Sequence, residues 1–419
     1  MRVTKFRAAA LGALALATAA AVAALAGTTV AARTPQAAAA KGARAAKAAD
    51  APFTAAIIGD FPYGLTNADV LQSDAAPAFV KRINSDKDLS LVVHVGDIHS
   101  GKQQCTQAYD EAIARIFSGF ALPLVYTPGD NEWADCHKAG QGGGLYNATT
   151  KKVELIMDAA GNPQDFAGGS PIANLWLVRK LFFATPGQTL GSNTLKVDSQ
   201  AEKFDPAHPK DAQFVENVMF EKGGVLFVTL NIPGGSNNDL DPWYVTPALS
   251  ADQVREADER NGATTRWIAA AFAKAKADKV AGVVVVNQAD MWDPEKGAAH
   301  QTGYDVLITA LKIGVKSFGK PVLMLNGDSH VYRSDNPMSP TATCVLDGAT
   351  TCASDYNIHP AIGVDLPNFH RVVVHGSTAP LEYLKLTVDS SKNAPNGDSA
   401  FGPFAWARAT QPDLVKAAS

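Results

Sequence analysis

Five apolar stretches of this chain end on side chains of the kinds that bind metals. Phe53–Ile58 runs into Gly59-Asp60, Leu89–Val95 into Gly96-Asp97, and Leu122–Tyr126 through Thr127-Pro128 into Gly129-Asp130. Further on, Val280–Val286 ends in Asn287-Gln288-Ala289-Asp290, and Pro321–Leu325 in Asn326-Gly327-Asp328-Ser329-His330. Carboxylates gathered within a few ångströms repel one another and take up protons, so convergence of Asp60, Asp97, Asp130 and Asp328 calls for cations. A glycine ahead of an Asp lets the backbone turn sharply and pass close to an ion or a phosphate. One Gly-Asp pair is ordinary turn chemistry. Its recurrence directly after apolar runs points to a metal centre.

Elements of a particular kind must position these residues. Continuous Val/Ile/Leu runs of this length read as strands buried on both faces, which need helices or a second sheet to cover them. Helical candidates lie between the runs at Cys105–Phe117, Asp252–Arg260 and Thr265–Lys276; in the last, Trp267, Ile268, Ala271, Phe272 and Ala275 form one apolar stripe. Alternating strand and helix gives an α/β sheet whose ligand site lies beyond the carboxyl ends of the strands. All the Asp residues arrive at that edge.

In order along the chain, Asp60-Phe61-Pro62, Gly96-Asp97-Ile98-His99, Gly129-Asp130-Asn131-Glu132, Asn287-Gln288-Ala289-Asp290 and Gly327-Asp328-Ser329-His330 resemble the blockwise signature of the calcineurin-like metallophosphoesterase family, over about residues 53–390. The block from Tyr126 to Trp133, followed by Cys136, resembles an exported bacterial branch of that family. The resemblance implies a four-layer α/β/β/α sandwich with two mixed sheets. It also implies two divalent ions bridged by Asp97 and by a hydroxide that attacks a phosphate mono- or diester. By position, Asp60, Asp97 and His330 would hold one ion and Asp97, Asp130 and Asp328 the other, with Asn287, Gln288 or Asp290 supplying a further ligand. Asn131 takes the place of the family's substrate-contacting His, which assigns it a catalytic and substrate-binding position.

The departures from the family are systematic. Pro62, Asp130, Asp328 and the block Asn287–Asp290 stand where the signature has imidazoles or an amide. Carboxylates in place of imidazoles make the site harder, favouring Mn, Mg, Fe or Ca over Zn. An amide at position 131 donates a hydrogen bond but cannot act as a general acid. His99, two residues beyond Asp97, is the candidate to replace that acid. His94 reads as a hydrogen-bonded core residue, and Tyr63, near Asp60, as a turn tyrosine with contact to a metal or phosphate as the alternative. Asn237 and Asn238, in a Gly/Asn-rich loop after Val225–Leu230, are candidate substrate contacts. A catalytically weak protein that keeps one ion to organise a binding surface is the alternative function.

Composition narrows the remaining classes. Of 419 residues, 46% are hydrophobic and 19% charged, which is globular rather than disordered. Residues 1–50 carry seven Lys/Arg and Asp50, leaving 30 basic against 40 acidic residues beyond them, a net −10. Such a body has no footprint for duplex nucleic acid or anionic membranes. The expected partner is a small-molecule phosphoester. Arg2, Lys5 and Arg7 precede an Ala/Leu/Val run from Ala8 to Ala26, so residues 1–32 read as a cleavable signal peptide and the product as secreted or held at the cell envelope. Residues 33–50 read as a low-complexity linker and 51–395 as the domain. An insertion over the cleft is expected at about 137–217 and a tail at 396–419. The four cysteines fit two disulfides in three possible pairings, of which Cys105 with Cys136 and Cys344 with Cys352 is preferred. Gly96–Lys102 matches the start of a phosphate-binding P-loop, but Gln103 replaces the required Ser/Thr and Asp97 would bring negative charge into the anion nest.

Overall fold

The computed structural model describes residues 50–414 except 65–66, 239, 294–296, 348–351, 353–354, 360–362 and 379. The expected signal peptide and nearly all of the linker lie outside the described residues. Two mixed sheets form the centre of the α/β fold. The first has six strands, in spatial order Ala400–Phe401, Phe404–Gln411, Leu381–Val388, Phe53–Ile58, Leu89–His94 and Leu124–Tyr126. The second has eight: Cys344–Leu346, Arg333–Asp335, Phe369–Val373, Val322–Asn326, Val283–Val286, Val225–Thr229, Val218–Lys222 and Asp198–Ser199.

Period-two burial makes the four layers. Ala55, Ile57, Leu91 and Val93 pack with Phe227, Val284, Val286, Leu323, Leu325 and Val372, joining the inner faces of the two sheets. The alternate residues Ala56, Ile58, Val92 and Leu124 meet the helices Asn67–Ser85, Gln107–Ser118 and Pro171–Phe182 through Phe79, Ile83, Ile113, Phe117, Val178 and Phe182. On the far side, Val283, Val285, Val322 and Met324 meet Trp267, Ile268, Ala271 and Phe272 of one helix and Leu307, Leu311 and Val315 of Asp305–Phe318. The α/β/β/α order expected from the sequence is the one found.

Parallel pairing brings the loops to one edge. Phe53–Ile58, Leu89–His94 and Leu124–Tyr126 run parallel, with Ile58 opposite His94 and His94 opposite Tyr126. In the second sheet Thr229, Val286, Leu325 and Val372 are in register across four parallel strands. The Asp-bearing loops therefore start at the same level in each sheet.

Two boundaries differ from expectation. The helical segments 252–260 and 265–276 are one helix, Ala251–Ala277, capped by the Ser250 side chain, which accepts from Gln253 N at 3.1 Å. Gly262 inside it costs roughly 1 kcal/mol relative to Ala, and burial of Arg260, Ala263, Thr264 and Trp267 overrides that local preference. Residues 396–414 are not a tail, and 415–419 lie outside the described residues. Phe404–Gln411 pairs with all eight residues of Leu381–Val388, and Phe401, Phe404 and Trp406 are buried between the sheets. The segment 137–217 also does more than cover a cleft, since Pro171–Phe182 packs on the outer face of the first sheet. The disulfides Cys105–Cys136 and Cys344–Cys352 have the expected pairing. Among the described residues no helix is long and apolar enough to cross a membrane.

Ending the chain at residue 395 should abolish cooperative unfolding. Each lost core aromatic is worth roughly 3–5 kcal/mol against a total stability of about 5–15 kcal/mol. A calorimetric transition matching that of the full chain would restore the tail reading.

Candidate metal centre

The loops after the strands converge where the two sheets share an edge. Asp60, Asp97 and His330 each offer a ligand atom, and these atoms lie within 4.8 Å of one another. All three have left-handed backbone, with φ of 49°, 59° and 64°, and Asp328 has φ 76°. That region costs a non-glycine residue energy and is held only where surroundings over-determine it. The glycines are needed for close approach. A Cβ at Gly129 would overlap Asp97 Oδ1, and one at Gly327 would overlap Asp60 Oδ2.

The hydrogen bonds show how the acidic groups are held. Asp60 Oδ1 accepts from Asp328 N at 3.1 Å and lies 3.3 Å from His330 Nε2. Asp60 Oδ2 is buried without any hydrogen-bond partner. Asp97 accepts from Asn131 N at 3.3 Å and Asn131 Nδ2 at 3.0 Å. Gln288 Nε2 donates to Asp97 Oδ2 at 3.1 Å and to Asp130 Oδ1 at 2.9 Å. Asp130 Oδ2 and Asp328 Oδ1 both face Gly234, within 2.9 and 2.8 Å of where its Cβ would be. Asp60, Asp97, Asp130 and Asp328 thus form one acidic centre with His330 and Gln288.

Tyr63, expected as a turn residue, belongs to this centre. Its buried hydroxyl is 3.5 Å from Asp60 Oδ1, 3.4 Å from Asp97 Oδ2 and 3.4 Å from His330 Nε2. Its place three residues after Asp60 was the available signal, but that spacing is shared by ordinary turns. Glu132 was quoted only as part of its block, yet it ties two loops together. Its carboxylate accepts from Gly129 N at 2.6 Å, Tyr126 Oη at 2.6 Å and Ile98 N at 3.4 Å.

Other expected site residues are engaged elsewhere. His99 is fully buried, with Nε2 2.6 Å from Asp110 and its ring edge-on to Tyr109, so it does not present a proton to the cleft. Asp290 is ion-paired to Arg371 at 2.6 Å and accepts from Ser329 Oγ at 2.9 Å; only its backbone N–H reaches the centre, donating to Asp328 at 3.0 Å. Asn287 is fully buried and donates to Ala289 O at 2.8 Å, shaping the turn that presents Gln288. Asn237 bonds Arg260, Asn261 and Gly303, and Asn238 bonds Trp243 and Glu256. These amides hold the 234–238 loop over the centre rather than facing a ligand. His94 is the core residue expected: its Nε2 donates to Phe61 O at 2.8 Å, its Nδ1 accepts from Gly96 N at 3.1 Å, and burial pulls its pKa down to about 4.

Electrostatics mark the centre as short of positive charge. Burial, then Asp130, Glu132, Asp60 and Asp328, pushes the Asp97 carboxyl well above the usual range. Burial and then Asp135 push Asp130 up to about 7. Burial opposes charge on His330, but the carboxylates of Asp60, Asp328 and Asp130 outweigh it and raise its pKa. Buried, unpartnered oxygen at Asp60 beside carboxylates that resist ionisation fits a cation-binding cradle.

Because its folded-state pKa is raised, Asp130 binds more protons folded than unfolded between about 4 and 7. It therefore lowers the stability of the metal-free protein as pH rises through that window. Asp130→Asn should be on the order of 2 kcal/mol more stable than wild type at pH 8 without divalent ions, and the gap should close near pH 4. Denaturant titrations at the two pH values check this; an unchanged gap contradicts it.

No family model and no curated protein matches the chain. Among solved structures it is similar to a purple acid phosphatase from yellow lupin (Lupinus luteus) seeds, at 11% identity and a TM-score of 0.37, over 88% of this chain and 56% of that one. It is also similar to a Staphylococcus aureus protein assigned as a 5'-nucleotidase, at 10% identity and a TM-score of 0.39, over 88% of this chain and 55% of the other. The chain spans little more than half the length of these structures.

Proposed function

We propose that this protein is an exported, metal-dependent phosphoester hydrolase. The observation that carries the reading is the Asp60, Asp97 and His330 triad, its ligand atoms within 4.8 Å of one another and Asp60 Oδ2 buried without a partner. Export is supported by the charged-then-apolar N-terminal sequence and by two disulfides, which persist in oxidising compartments.

Asp60, Asp97 and His330 would hold a divalent ion, with the Tyr63 hydroxyl as a fourth polar atom against the same three side chains. An ion bound there supplies Lewis acidity at a phosphoryl oxygen and makes water a usable nucleophile near neutral pH. The chain's own residues set the rest. Asn131 N and Nδ2 fix Asp97, so its carboxylate enters the reaction already oriented. His330, with its side chain 38% exposed, marks the open side where substrate approaches. Neither Asn131 nor the buried His99 can protonate a leaving group, and lack of such an acid typically costs about 10²- to 10⁴-fold. Esters of acidic alcohols or phenols are therefore the substrates of choice.

A second reading is a binding protein that keeps an ion without turnover; Gln288, whose neutral amide spans Asp97 and Asp130, favours it. Aryl phosphate mono- and diesters assayed with Mn²⁺ decide between them. Hydrolysis should depend on the ion and fall at least about 10²-fold in Asp97→Asn, while Asn131→His should speed esters of weakly acidic alcohols more than aryl esters. No metal-dependent turnover above the Asp97→Asn background would leave the binding reading.

A further inference from the structure

We infer that the centre binds a single divalent ion, at Asp60, Asp97 and His330, and that the Gln288 amide takes the position a second ion would need. This rests on the reading of the centre as a cation site and goes beyond it. A second ion shared by Asp97 and Asp130 would be held by oxygens of theirs that meet at a common point. The two that do, Asp97 Oδ2 and Asp130 Oδ1, both accept from Gln288 Nε2, at 3.1 and 2.9 Å. A cation ligated by both oxygens at roughly 2.0–2.6 Å would occupy the same gap as that nitrogen.

The amide cannot make way by reversing. Gln288 Oε1 accepts from Gly234 N at 2.5 Å. Turned over to ligate an ion with its oxygen, the amide would set its NH₂ against the Gly234 N–H and leave that buried donor without its acceptor. Nor can the side chain easily swing aside. Gln288 is fully buried, and its stem lies so close to Gly96 that a Cβ there would stand 2.5 Å from Gln288 Cβ. The Gly234 N–H is fixed in turn, because the 234–238 loop is anchored by Arg260 on Asn237 and by Trp243 on Asn238. One amide thus does with two N–H dipoles what a dication would do with charge. The other half of the centre has no such substitute: Asp60 Oδ2 faces no donor.

The test counts ions in the full chain. Protein stripped with a chelator is dialysed against saturating Mn²⁺, and bound metal and its electron paramagnetic resonance spectrum are measured. One ion per chain with the spectrum of an isolated Mn²⁺ is expected. Two ions per chain with spin coupling would overturn this inference and leave the cation site standing; no bound ion would overturn both. Gln288→Glu, which replaces the donor by an oxygen ligand of the same shape, should raise the count from one to two. A count still at one in that variant would remove the role given to Gln288.

Discussion

Everything at the functional edge of this protein is governed by the cost of burying negative charge. Asp60 and Asp97 are essentially inaccessible and Asp130 nearly so, and among the described residues no arginine or lysine hydrogen-bonds to any of them, although Lys138 acts on Asp130 through space. A different acidic cluster in the second sheet shows the alternative solution. Asp290, Asp335 and Asp355 are met by Arg371 and Arg333 at 2.6–2.8 Å. There burial would raise Asp335, yet the guanidinium groups hold it below the ordinary carboxylate range. The two clusters lie a short stretch of chain apart, since Asp290 belongs to one and its neighbour Gln288 to the other. One is closed by fixed cations of the protein itself. The other is left to hydrogen bonds, protons and whatever cation binds.

That difference decides which parts of the scaffold are rigid. The loops that carry the carboxylates of the centre are cross-tied by Glu132, which holds Gly129 and Ile98, and by backbone donors such as Asp328 N and Asp290 N. Left-handed backbone at Asp60, Asp97, Asp328 and His330 is the conformational consequence of turning four side chains inward within a few residues of a strand end. The parallel registers of both sheets set the level of those strand ends. Sheet pairing, turn geometry and electrostatics therefore meet at the same residues.

Much of this was legible in the sequence because it depends on local pattern. Apolar runs of strand length, each followed by Gly-Asp, located the strands and the convergent carboxylates, since period-two burial and the need for close backbone approach act within a few residues. What was not legible depends on partners far away. Nothing near Asp290 announces Arg371, 81 residues later. Asn237 and Asn238 looked available because Arg260 and Trp243 meet them only in the folded chain. Tyr63 looked like a turn residue because its contacts are with Asp97 and His330, 34 and 267 residues away. The strand Phe404–Gln411 was hidden because its buried Phe404 and Trp406 alternate with exposed alanines, Ala405 and Ala407, rather than with residues of high strand propensity.

The charge balance bears on which phosphoesters suit such a centre. Four carboxylates against one dication would leave two excess negative charges, and a proton retained on one of them, which burial favours at Asp130 near neutrality, would still leave one. A phosphate monoester dianion approaching this edge meets carboxylates before it meets compensating charge, whereas a diester brings one negative charge fewer. Coulomb interactions among groups a few ångströms apart in partly desolvated surroundings are worth several kcal/mol per unit charge, roughly 4 kcal/mol at 4 Å for an effective dielectric of about 20. If the centre hydrolyses phosphoesters as proposed, it would discriminate by substrate charge before shape, with the single-charge ester the better match.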